Sequence, residues 1–102
     1  MSELPGGETH SEREAIEALT LVVAHLAAQL TMAQIRLRAL ATSLETNGRL
    51  DQAVVRGYAA EIADREAGHY LAENLGERLV AMIDIEQLTR DIIEFVSAPD
   101  QQ

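Results

Sequence analysis

Apolar side chains recur at Ile16, Leu19, Val23, Leu26, Leu30, Ala33, Leu37, Leu40 and Leu44, in steps that alternate three and four residues without a break. Such steps hold a period of about 3.5 residues, the seam of a left-handed helical supercoil. A second seam of smaller residues runs through Leu21, His25, Ala28, Met32, Ile35, Ala39 and Thr42. It is two residues out of phase with the first, about 200° away around a helix that turns roughly 100° per residue. A helix with apolar residues on opposite faces is sandwiched between neighbours. One chain of 102 residues is short for covering both faces. The pattern therefore predicts a homo-oligomer, a dimer first of all, with Leu21, His25, Ala28, Met32 and Ile35 at an interface. The primary seam, with Leu30 at its centre, is expected to carry most of the apolar burial.

The remaining pattern completes an all-α fold. Residues 1–10, with Pro5-Gly6-Gly7, read as a flexible arm. Thr9 with Glu12 and Ser11 with Glu14 are overlapping capping boxes, so helix 1 is expected over 11–46. Asn47-Gly48 suits the left-handed residue that closes a helix. Helix 2 is expected over 50–82, and a connection this short makes helices 1 and 2 an antiparallel hairpin. Its apolar face runs through Val54 or Val55, Tyr58, Ile62, Leu71, Leu75, Leu79 and Met82. Small residues at Ala53, Gly57, Ala60, Gly68, Ala72 and Gly76 suggest close approach to the second seam of helix 1. Two stops compete further on. Asn74-Leu75-Gly76 is one; Asp84 with Gln87, flanked by Ile83 and Leu88 as a staple, is the stronger. Residues 84–97 then form helix 3 or a continuation of helix 2, and 98–102 a polar tail. The expected architecture is a long antiparallel hairpin plus a C-terminal helix, assembling as a dimeric bundle with coiled-coil-like packing.

Charge and composition narrow the function. The net charge is −9, and residues 1–17 carry five acids against one Arg. An acidic surface without a basic stripe repels phosphate backbones, which argues against nucleic acid. All eight cations are Arg, which excludes mechanisms that need a lysine, such as a P-loop or a Schiff base. There is no Cys, hence no disulfide framework and no thiolate metal site. Residues 18–35 hold no charge, close to the length of a membrane span. His25, Gln29, Gln34, Thr20 and Thr31 interrupt them, and two seams explain the hydropathy better than lipid does. With no basic, apolar leader, a cytoplasmic location is expected.

Glu66-Ala67-Gly68-His69 is the most suggestive local motif. Glu-x-x-His sets a carboxylate and an imidazole one turn apart on one helix face. In spacing it resembles the ligand pair of ferritin-like di-iron bundles. That resemblance implies a metal-binding half-bundle, with Fe or Zn held by Glu66, His69, Glu73 and His25, the last brought level across the hairpin. Helix 1 departs from the pattern, since it has no acid between Glu17 and Glu45. The simpler reading is a solvated Glu66 and a His69 paired along its own helix with Glu73 or Glu66. A phosphorelay role for His69 has only the hairpin to support it, and no Ser–His–Asp arrangement or phosphate loop can be read. The expectation is a non-enzymatic acidic bundle without a cofactor, acting through self-association or a protein partner.

Overall fold

Helix formation accounts for nearly all of the chain. A computed structural model describes residues 5–98, with side chains from residue 11. It places α1 over Pro5–Asn47, α2 over Gln52–Leu75, α3 over Glu77–Met82 and α4 over Ile85–Ser97. No strand occurs among the described residues. Residues 1–4 of the expected arm and 99–102 of the expected tail lie outside the described residues.

Each helix end has a local cause. α1 starts at Pro5, a residue whose fixed φ and missing N–H suit a first helical position. Ser11 therefore stands inside the helix and not at its N-cap. Gly48 closes α1 with a φ of 74°, and its N–H donates to the Leu44 carbonyl at 2.9 Å. Asp51 caps α2, its carboxylate accepting from the Ala53 and Val54 N–H groups at 3.0 and 3.3 Å.

Both expected stops operate. Gly76, with a φ of 84°, ends α2, and Asp84 caps α4 by accepting from the Gln87 N–H at 3.1 Å. Helix 2 is thus not continuous to residue 82; the single turn and a half of α3 fills the gap. Ile83 and Leu88, the two staple residues, are half-buried against the core. Ala98 is extended (φ −65°, ψ 143°), as a residue before proline must be, so α4 ends there.

α1 and α2 pack as the antiparallel hairpin. α4 folds back on α2, where Thr89 lies beside Gly68. The hairpin interface is built from small residues. α1 contributes Ala27, Ala28, Thr31, Ile35, Ala39 and Ser43, and α2 contributes Ala59, Ile62, Ala63, Ala67, Leu71 and Leu75. The second seam of α1 faces α2, and the small α2 residues buried there are Ala59, Ala63 and Ala67. Ala53 and Gly57 are exposed, and Gly68 turns toward α4.

The molecule is a rod of 66 × 30 × 19 Å with a radius of gyration of 18.2 Å. A compact chain of this length has about 13 Å. Its accessible surface of 7139 Å² likewise exceeds the roughly 5,700 Å² of a compact monomer of this mass.

Candidate functional site

The feature that sets this fold apart is the uncovered face of α1. The hairpin buries the smaller seam and leaves the larger one in solvent. Leu30, expected at the centre of the burial, is 49% exposed, and Leu37 is 66% exposed. Ile16, Leu19, Leu26 and Leu44 are each at least half exposed, while Val23 and Leu40 are half-buried. The physical reason is helix separation. Alanine, threonine and serine let two backbones approach and exclude water, whereas a leucine ridge on that face would hold them apart.

The exposed seam extends from Ile16 to Leu44, about 42 Å at 1.5 Å per residue. Single exposed leucines are ordinary on a soluble protein; a continuous apolar line of this length is not. Polar side chains border it on both sides. Thr20 and Gln34 lie along one edge, and His25, Gln29 and Arg36 along the other, by their angular positions on the helix.

The second-seam residues divide between two environments. Ala28 and Ile35 are buried in the chain's own core and Met32 is half-buried. Leu21 is 71% exposed and His25 is exposed, because both lie toward the end of α1 that α2 leaves largely uncovered.

Polar clasps set how α1 and α2 align. The Asn74 side-chain N–H₂ donates to Thr31 Oγ1 and to Gln34 Oε1, each at 2.9 Å. Arg38 Nη1 donates to Glu66 Oε1 and, at 2.9 Å, to the Tyr70 hydroxyl. The Glu66 carboxylate, and secondarily the Tyr70 hydroxyl, hold the Arg38 guanidinium above its ordinary pKa. Ser43, fully buried, donates from Oγ to the Arg49 carbonyl at 2.9 Å and ties the end of α1 to the loop.

This alignment separates the proposed metal ligands. Glu66 is level with Arg38, while His25 lies thirteen residues further up α1, about 20 Å along the axis. The Glu66 carboxylate is bonded to Arg38, and His69 Nε2 pairs with Glu73 Oε2 at 3.3 Å, both groups largely exposed. Among the described residues of one chain, no three His, Asp or Glu side chains converge as a metal site would require. Sequence reasoning missed Arg38 as the partner of Glu66. The signal was its place among the few charges in the middle of α1.

α1 is also long and apolar enough to cross a membrane by length and composition. Beside its uncharged segment, however, α2 and α3 carry Glu73, Glu77 and Arg78, all exposed. Compared with known protein families, curated proteins and solved structures, the chain matches none.

Proposed function

We propose that this chain is a non-enzymatic helix-association protein that works by pairing the exposed seam of α1 with another helix, either in a second copy or in a protein partner. The observation that supports this reading is the line of apolar residues from Ile16 to Leu44, left uncovered by the chain's own hairpin. Burying apolar area contributes roughly 25 cal/mol per Å², so an uncovered leucine seam is a standing driving force for association. A helix partner suits the seam better than lipid does. Polar residues border the stripe on both edges, and α2 and α3, packed on the other side of α1, carry exposed charges that would be costly in hydrocarbon.

Light scattering at low micromolar concentration tests the proposal. The wild-type chain, or the chain with its partner, is expected to form at least a dimer. Leu30→Glu combined with Leu37→Glu is expected to give a folded monomer, because both side chains are exposed in the single chain. A wild-type chain that stays monomeric and captures no helical partner defeats the reading.

A further inference from the structure

We infer that the seam of α1 is covered by a second copy of the same helix running antiparallel, centred on Ala28. The inference rests on the proposed association and specifies its partner and geometry. Three observations carry it.

The seam reads the same from both ends. From Ile16 to Leu40 its residues are Ile, Leu, Val, Leu, Leu, Ala, Leu and Leu. By size this is large, large, small, large, then large, small, large, large, a palindrome about residue 28. A two-fold contact needs one patch that is complementary to itself. In the antiparallel arrangement Ile16 of one copy meets Leu40 of the other. Leu19 meets Leu37, Val23 meets Ala33, and Leu26 meets Leu30. These eight positions are then paired, and Leu44, the ninth residue of the seam, lies level with Glu12 of the other copy.

Charge separates the two orientations. Glu12 is exposed and continues the seam line by one turn before Ile16. A parallel, in-register pair would set Glu12 against Glu12 at the edge of an apolar seam and bring together two acidic helix ends, each with Glu12, Glu14 and Glu17 against Arg13. Like charges so placed are repulsive. The antiparallel pair separates the two acidic ends and moves each to the C-terminal half of the other α1, where Arg36 and Arg38 outnumber Glu45. It also opposes the two helix dipoles.

The third observation is packing. A parallel pair faces Ala33 with Ala33 and leaves the largest gap in the seam at one layer. The antiparallel pair sets Val23 against Ala33 and spreads the deficit over two layers. α2 lies on the opposite side of α1, so it does not obstruct the second copy.

The absence of Cys makes the test direct, because introduced thiols have no native competitors. Leu19→Cys and Leu37→Cys are made separately, and each is oxidised alone and in an equimolar mixture. The mixture is expected to yield the disulfide between Leu19→Cys and Leu37→Cys, while each variant alone stays reduced. A disulfide of Leu19→Cys with itself overturns the antiparallel orientation, as does a dimer that gives no cross-link in the mixture. A wild-type chain that is monomeric by light scattering overturns the second copy as the occupant of the seam, while the proposed function fails only if no helical partner binds either, so the two failures are distinguishable.

Discussion

Asn74 and Thr31 are joined by a 2.9 Å hydrogen bond across the α1–α2 interface, and the Thr31 side chain has no exposed surface. A buried hydroxyl with one partner in another helix constrains how the two helices slide. Asn74→Ala removes that partner and is expected to cost about 1–3 kcal/mol, the range for leaving a buried polar group unsatisfied. Thr31→Val is expected to cost less, because Asn74 keeps its bond to Gln34 Oε1. Urea unfolding of the two single variants and the double variant measures the coupling. Additive effects would remove the bond's role in register.

The close approach of α1 and α2 rests on alanine. Ala63 has no exposed surface in the hairpin interface. Ala63→Leu is expected to destabilise by about 1–3 kcal/mol through overpacking. Ala53→Leu, on an exposed turn of the same helix, should stay within about 0.5 kcal/mol of wild type. Thermal midpoints of both variants, taken at one protein concentration, make the comparison.

Two glycines separate backbone strain from helix propensity. Gly76 has a φ of 84° and open space around its Cα. Gly76→Ala meets no neighbour, yet with ψ at 163° it forces a side chain into a positive-φ region that is essentially reserved for glycine, at a cost of about 1–3 kcal/mol. Gly57 is helical, with equally open surroundings. Gly57→Ala is expected to stabilise by about 0.5–1 kcal/mol. Opposite signs in denaturant unfolding are the predicted result.

Leu30 is half exposed in the single chain, so the effect of Leu30→Ala depends on association. At low concentration, where chains are separate, the change in midpoint should be small. At high concentration it should grow, since a partner that binds only the folded state raises stability by mass action. A shift independent of concentration would mean that Leu30 is buried within one chain.

His69 and Glu73 form an exposed i,i+4 pair, a class worth roughly 0.3–0.5 kcal/mol. His69→Ala is therefore expected to be nearly neutral. Adding Zn²⁺ or Fe²⁺ is expected to leave the melting temperature unchanged in wild type and variant alike. A metal-dependent rise lost in both His69→Ala and Glu66→Ala would instead establish a site assembled between chains.

Much of this molecule is legible from local signals, and the reason is that those signals act within a few residues. Period, caps and turn residues determine most of the helices: Asn47-Gly48, Asp84 and Pro99 mark ends that depend on their immediate neighbours, while Asp51, expected within a helix 2 that starts at residue 50, caps it instead. The two opposed seams of α1 are likewise a property of spacing alone. Which seam the hairpin covers is decided only in three dimensions. The larger seam has more area to bury, but Ala27, Ala28, Ala39 and Ser43 admit the backbone of α2 more closely than Leu26, Leu30 and Leu37 would. Alignment is also long-range. The bonds of Arg38 to Glu66 and Asn74 to Thr31 link residues about 28 and 43 positions apart, and they hold His25 away from Glu66 and His69. Gly76 shows the same division: as one of two competing stops it is visible in the chain, but that both stops operate, with α3 between them, is seen only in the fold.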